Sequence, residues 1–246
     1  MSDLLQALRR RTQWLLGTPL HPQWLYGRRS AAGPWISSRA SGQVIDIGCG
    51  DRWVEPFLDR SCTYLALDFP ATGKLLYRAH PHVFASAGAL PLPNQSVDTV
   101  LLIEVAEHLA EPASAFAEIA RVLRPGGRLL MSVPFLYPIH DAPHDYQRWT
   151  QHGLVKVLSE AGFKVGQPRP THGSAESAGL LLSLALAGAA AEALRQRRWS
   201  ALMVPLLLAA VPLVNLASWM LARLLPDWQA LTTGYRIEAS KPEAGC

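Results

Sequence analysis

Charge is what this 246-residue chain has least of: Asp, Glu, Lys and Arg make up 17% of it, against 49% apolar residues. A soluble domain averages nearer a quarter charged, so the shortage excludes a disordered chain and leaves ample material for a core. Cysteine is scarce too. Cys49, Cys62 and Cys246 form no C-x-x-C pair and no even framework, which argues against a disulfide scaffold or a cysteine zinc site and fits a reducing compartment. Lysine supplies only four of the 23 basic residues, a bias of composition without chemical content. The N-terminus has no uninterrupted apolar stretch, because Asp3 and Arg9–Arg11 break it, so no secretory signal is expected.

The charge that is present is unevenly placed. Of the formal net +4, residues 1–39 carry six arginines (9, 10, 11, 28, 29 and 39) against the single acid Asp3. A basic segment on a near-neutral body suits a local anionic contact, and a solvated helix face has the same composition. Leu4, Leu5, Leu8 and Leu15 share one side of a helix, so residues 1–39 are expected to be a basic helical segment.

The apolar excess also has an address. No charged residue occurs from Ser177 to Ala191, nor from Trp199 to Ala222, and the tip between them is charged. The second run is long enough to cross the roughly 30 Å hydrocarbon layer. Pro205 and Pro212 are expected to kink or interrupt it. Trp199, Trp219 and Trp228 lie where interfacial aromatics sit. Two readings stand: a membrane-seated helical hairpin over residues 177–225, and an apolar cap or dimer face. A full double span would carry Arg195, Arg197 and Arg198 to the far side, against the positive-inside tendency, which favours a re-entrant or interfacial seat.

Elsewhere strands and helices alternate. Gln43–Ile47, Thr63–Leu67, His82–Ala85, Ser96–Ile103, Gly127–Val133, Lys164–Gln167 and Gly234–Ala239 read as strands. Trp53–Asp59, Pro112–Leu123 and the segment capped by Thr150 and stopped by Gly162 read as helices. This order predicts an α/β fold with a doubly wound, mostly parallel seven-stranded sheet. The core would span residues 40–169 and 233–240, with residues 170–232 as an apolar helical insertion before the last strand.

The chemistry concentrates in a few blocks. Val44-Ile45-Asp46-Ile47-Gly48-Cys49-Gly50 runs a strand into two close glycines, a turn that lets a ligand approach the backbone. Twenty residues after Gly48, Asp68 closes the next strand, where an acid accepts from ribose hydroxyls. Then come Leu90-Pro91-Leu92-Pro93 with Asp98-Thr99-Val100, Glu104-Val105-Ala106-Glu107-His108-Leu109, and Arg121-Val122-Leu123-Arg124-Pro125-Gly126-Gly127.

In this order the blocks resemble the class I S-adenosylmethionine-dependent methyltransferases, in particular their small-molecule and lipid-type branch, over residues 40–168 and 233–240. The resemblance implies S-adenosyl-L-methionine as cofactor and methyl transfer as activity. It places Asp46, Gly48, Cys49 and Gly50 around the methionine moiety, Asp68 on the ribose and Phe69 beside the adenine, with Ser86 and Glu104 completing the pocket. The loop departs from the family pattern in having Asp51-Arg52 where a third glycine is usual.

The block after the fourth strand lacks the Asn/Asp-Pro-Pro-aromatic pattern of base amine methylation. An oxygen or carbon acceptor follows, and no nucleic acid partner is expected. A hydroxyl acceptor needs a base, and His suits that near neutral pH. Candidates are His144 and His140, ahead of His108. The stretch from Tyr137 to Thr150 also offers Tyr137, Asp145, Tyr146 and Arg148 to a substrate, although Asp145 and Arg148 have the bland alternative of pairing with each other. Pro143 keeps His140 and His144 off one regular helix, so no metal is expected. The sequence thus predicts a cytoplasmic enzyme at the inner face of the membrane, acting on a lipid, quinone, lipid-linked sugar or other amphiphile. A soluble methyltransferase with an apolar lid or dimer face, and a non-catalytic binding protein, are the alternatives.

Overall fold

The computed structural model describes residues 13–26, 29–74, 79–196 and 199–243. They divide into two compact units, one drawn from residues 30–135, 141–169 and 234–246, the other from residues 1–29, 136–140 and 170–233.

The first unit is built on an eight-stranded sheet of β1 (Gln43–Ile47), β2 (Thr63–Asp68), β3 (Val83–Phe84), β4 (Val97–Ile103), β5 (Leu123–Pro134), β6 (Lys164–Val165), β7 (Arg169–Pro170) and β8 (Gly234–Ser240). The order is β3-β2-β1-β4-β5-β8-β6, with β7 pairing β8 off that path. Pairs from β3 through β5 are parallel, whereas β8 runs antiparallel to β5 and β6. The expected class therefore holds, with the two-residue β7 as an eighth strand beyond the seven expected.

Strand alternation sorts the core into two layers. Ile45, Val100, Leu102, Leu129, Met131 and Val133 face a cluster with Phe116, Ile119, Leu154 and Leu158. Those partners belong to α2 (Pro112–Val122) and α3 (Gln151–Glu160). Val44, Leu101 and Leu130 point the other way, to Ile36 and Val54, where Ile36 lies on α1 (Arg29–Ser37). Thr150 caps α3 as expected, its hydroxyl accepting from Gly153 N at 3.1 Å. The helix expected over Trp53–Asp59 is only a 3-10 turn, Glu55–Phe57. Leu58, in extended conformation, ends it.

The second unit contains α4 (Ser174–Gln196), a 3-10 turn (Trp199–Met203) and α5 (Val204–Leu224), with described N-terminal residues 13–26. The expected N-terminal helix is not seen in residues 13–26, which form a 3-10 turn and further turns. Gly17, Pro19 and Pro22 explain this. The arginines at 9–11 and 28 and the leucines at 4, 5 and 8 lie outside the described residues. The prolines of the second run do not interrupt it: Pro205 falls in the first turn of α5, where no donor is missed, and the helix continues through Pro212.

The helices meet along a stripe of small and polar side chains. Ser183 Oγ donates to Asn215 Oδ1 at 2.8 Å, and Asn215 Nδ2 donates to the carbonyls of Pro19 and His21 at 2.7 and 3.0 Å. A Cβ on Gly179 would lie 2.0 Å from Ser218 Oγ. Gly179→Ala is expected to force α4 and α5 apart and destabilise this unit by about 1–3 kcal/mol. A thermal melt followed by circular dichroism would show it as a lowered midpoint; an unchanged midpoint would mean the close approach is not needed.

Candidate active site

The strand order reverses between β1 and β4, and ligands of open α/β sheets bind at that switch point, beyond the carboxyl ends of the strands. The turn leaving β1 lies there. Gly48 and Gly50 both have positive φ, +76° and +51°, a region glycine enters without strain. A side chain at Gly48 would strike Val105 at 2.4 Å, whereas nothing lies within 4 Å of a Cβ built on Gly50. The loop backbone is thus open at Gly50 and tightly packed at Gly48. Gly48 N and Cys49 N both donate to Leu67 O, at 2.9 and 3.0 Å, which ties the loop to the end of β2.

Asp68 is the hinge of this arrangement. Its Oδ2 accepts from Gly50 N at 2.9 Å and its Oδ1 from Phe69 N at 2.8 Å. Cys49 Sγ, 3.9 Å from Oδ2, is a third, weak donor; a carboxylate offers about four lone-pair directions, so acceptor capacity remains for at least one hydroxyl and for two if the thiol turns away. Burial raises the Asp68 pKa, and the two backbone donors oppose that shift. Gly73 packs against it so closely that a Cβ would lie 2.8 Å from Oδ1; the sequence gives no hint of this role. The Phe69 ring beside it is about half exposed, as a face for a planar base requires. Asp46 is buried on β1 and accepts from Tyr64 Oη at 2.7 Å. Burial pushes its pKa up to about 7, with the Tyr64 hydrogen bond pulling the other way. Cys49 is buried, and its thiol is pushed up to about 12 by burial and by the nearby Asp68 and Asp46 carboxyls. Ser86 is exposed in a turn and accepts from Gly88 N at 3.2 Å. Glu104, at positive φ, accepts from Ser132 Oγ at 2.6 Å.

Of the candidates for acceptor chemistry, the structure gathers His108, His144, Asp145, Tyr146 and Arg148 in the sheet unit, and assigns Tyr137 and His140 to the helical unit. His108 Nδ1 lies 2.7 Å from the His144 carbonyl. A carbonyl only accepts, so Nδ1 carries the proton and neutral His108 presents Nε2 as its basic atom. That Nε2 is 3.7 Å from the fully buried Glu107. Burial and the neighbouring Glu104 raise the Glu107 pKa well above the ordinary carboxylate range. Reading the Glu-His block by its histidine alone leaves out this buried acid, which only packing reveals.

His144 Nδ1 sits 3.2 Å from Tyr146 Oη. Arg148 binds Asp145 through two contacts, Nη2 to Oδ2 at 2.8 Å and Nη1 to Oδ1. The Asp145 side chain is 2% exposed, so this pair shapes the loop as its bland alternative foresaw. His140 Nδ1 lies 3.2 Å from the Pro138 carbonyl, and its ring stands edge-on to Tyr137 at 5.4 Å.

A doubly wound sheet with an open glycine turn at its switch point and an acid closing the second strand defines a nucleoside-cofactor enzyme domain. Residues 45–131 match the methyltransferase domain family described as Methyltransferase domain. A probable S-adenosylmethionine-dependent methyltransferase of Mycolicibacterium smegmatis is 33% identical over 142 residues, covering 53% of this chain and 55% of the relative. The malonyl-(acyl-carrier protein) O-methyltransferase of Hahella chejuensis is 35% identical over 99 residues, 36% of this chain and 35% of that one. The chain spans about half or less of the length of these curated relatives. Among solved structures, the cyclase SpnF shares the fold with a TM-score of 0.56 at 17% identity, over 88% of this chain and 82% of that one. Residues 45–131 thus carry a methyltransferase domain, and the relatives that match around it are named as S-adenosylmethionine-dependent enzymes, whose cofactor is S-adenosyl-L-methionine. The open backbone at Gly50, the acceptor capacity of Asp68 and the exposed Phe69 ring fit that cofactor.

Proposed function

We propose that this chain transfers a methyl group from S-adenosyl-L-methionine to a hydroxyl, or an activated carbon, of a lipid, quinone, lipid-linked sugar or other amphiphile at the cytoplasmic face of a membrane. One observation carries the membrane part: α5 is inside-out for a water-soluble helix. It buries Val211, Asn215 and Ser218 and exposes Leu206, Leu213, Leu216 and Leu224, the last at 70%. An apolar face of that length is unusual on a soluble monomer and suits a low-dielectric surround. Trp199 and Trp228 are also exposed, near the two ends of α5, where interfacial aromatics are favoured.

The hairpin is long enough to cross, with helical stretches of 23 and 26 residues. Its own packing supports the shallower seat. Asn215, midway along α5, hydrogen-bonds the irregular backbone at Pro19 and His21, and a non-helical segment at mid-depth is tolerated in hydrocarbon only when enclosed by protein. A hairpin lying in the interface, with residues 18–25 on one face and leucines on the other, meets that condition.

When bound, S-adenosyl-L-methionine would supply an electrophilic methyl group and a thioether leaving group, and a hydroxyl acceptor would give its proton to a base of this chain. Asp68 and the glycine turn hold and orient; in-line transfer then depends mainly on positioning and exclusion of water. His108, with its proton fixed on Nδ1, and His144, beside Tyr146, are the bases offered by the sheet unit, and His140 the one offered by the helical unit. The O-methyltransferase activity named for the Hahella relative supports an oxygen acceptor. Replacing each histidine by alanine and following methyl transfer is expected to lower the rate by 100-fold or more at the base and by far less at the others, with cofactor affinity unchanged. Wild-type rates in all three variants would remove His as the base. Labelled cofactor incubated with separate lipid and polar extracts is expected to label the lipid fraction; label confined to the polar fraction would overturn the amphiphile.

A further inference from the structure

The foot of the hairpin, where α4 begins and α5 ends, carries charged groups that the packing of the two helices does not use. A cavity of about 600 Å3 lies there, wholly within the helical unit, between the first turn of α4 and the last turn of α5. Ser174 N donates to Asp227 Oδ1 at 2.7 Å, and Trp228 N donates to Ser174 Oγ at 3.3 Å. The residues just after α5 thus lock the two helix ends together and give the cavity fixed walls. Glu176 and Arg223 line it, one from each helix. Glu176 is half-buried, whereas Arg223 is exposed.

Arg223 is held in one pose. Its guanidinium lies 3.6 Å over the Trp219 ring, and its Nη1 donates to the Trp219 carbonyl at 2.7 Å. A guanidinium carries five N–H donors, so one bond to a carbonyl leaves a fork for an anion. A pose fixed beforehand also lowers the ordering cost of binding. Beside these groups the surface turns apolar: Leu224, Leu225 and Trp228 are 70%, 56% and 68% exposed. They continue the exposed leucine face of α5.

Three chemistries therefore stand side by side at the foot: an anion fork, a carboxylate and an apolar border. A phospholipid head is layered in the same way, with a phosphate, an ammonium and the start of its chains. The guanidinium fork matches a phosphate in two parallel bonds. Glu176 accepts from an ammonium, and its own charge disfavours a head that is only anionic. A primary ammonium brings the N–H donors a carboxylate needs. A quaternary one is held by aromatic faces instead, and the Trp219 face is already covered by Arg223.

We propose that this cavity, with Arg223 and Glu176 as its charged partners, seats the head of a zwitterionic phospholipid bearing a primary ammonium, as in phosphatidylethanolamine. The proposal rests on the membrane-seated reading of the hairpin and adds what holds its foot at head-group depth.

The test sediments the full chain with vesicles of phosphatidylcholine alone, of equal parts phosphatidylcholine and phosphatidylethanolamine, and of equal parts phosphatidylcholine and phosphatidylglycerol. The first two differ at the site only in methyl groups against N–H donors. Vesicles with phosphatidylethanolamine are expected to bind about tenfold more tightly than phosphatidylcholine alone. Glu176→Gln, which keeps the side-chain shape, and Arg223→Gln are each expected to abolish that preference and leave partition to phosphatidylcholine unchanged. Arg223→Lys, with the charge but without the fork, should recover only part of it. Thermal midpoints check the fold, and Glu176→Gln decides the matter if Arg223→Gln lowers its midpoint. A preference that survives in Glu176→Gln would come from bilayer packing and overturn the seat. Binding to phosphatidylglycerol that strengthens in Glu176→Gln and fails in Arg223→Gln, with no response to phosphatidylethanolamine, would make the site an anion site and overturn it too. Glycerophosphoethanolamine, added at the concentration of the accessible lipid, is expected to leave the preference in place; its loss would transfer the site to a free metabolite and overturn the lipid part. Equal binding of the wild-type chain to phosphatidylcholine with and without phosphatidylethanolamine would overturn the seat while the membrane reading stands. A wild-type chain that stays in every supernatant would defeat that reading and the seat with it.

Discussion

Replacing Asp68 by alanine is expected to lower the affinity for S-adenosylmethionine by at least a hundredfold without unfolding the sheet unit. The carboxylate is asked to accept from both ribose hydroxyls while holding Gly50 N and Phe69 N. A hydrogen bond to a charged group contributes about 1.5–3 kcal/mol, so losing two corresponds to roughly a hundredfold to ten-thousandfold in affinity. Release of Gly50 from its anchor adds to the loss by loosening the turn. Asp68→Asn, which keeps one acceptor oxygen, should fall between alanine and wild type. Calorimetric titration with the cofactor measures all three, and the thermal midpoint checks the fold. Affinity within threefold of wild type in Asp68→Ala would show that the acid does not hold the ribose.

The second large effect is expected on the hairpin. Changing Leu206, Leu213, Leu216 and Leu224 together to glutamine should release the protein from phospholipid vesicles, lowering its partition coefficient at least a hundredfold. All four side chains are exposed, from 47% to 70%, and none belongs to the buried face of α5, so the thermal midpoint is expected to change little. Full burial of a leucine contributes about 1.5–3 kcal/mol. Even partial immersion of four therefore exceeds the roughly 2.7 kcal/mol that a hundredfold represents. Vesicle sedimentation reads the binding directly. A wild-type chain that stays wholly in the supernatant would defeat the membrane seat. If the same leucines then changed the oligomeric state in sedimentation velocity, the face would belong to a second copy instead.

Much of the fold was legible because it rests on short-range patterns. Apolar runs of the right length marked β1, β2, β4, β5 and β8, and Thr150 announced α3 by a hydroxyl suited to capping. The turn at Gly48 and Gly50 and the position of Asp68 at the end of β2 were legible as structure, because backbone freedom and spacing mark them along one strand–turn–strand path. Less legible were elements decided by single residues against a pattern. A helical-looking segment ended after one turn where Leu58 becomes extended, whereas Pro212 stayed within a helix.

Composition and the order of patterns along the chain by themselves determined an α/β fold with an apolar insertion before its last strand and a glycine turn after β1. Only the tertiary structure decided which side of each helix faces protein. Periodicity shows leucines all around α5, and it took the contact with Ser183 and Pro19 to place Asn215 inside and the leucines outside. Likewise, the proximity of Glu107 to His108, the pairing of Asp145 with Arg148 and the meeting of Tyr26 with Tyr137 and His172 depend on how the chain folds back on itself. Local sequence sets backbone conformation through sterics and hydrogen bonding, but burial and long-range side-chain contacts exist only once distant segments pack.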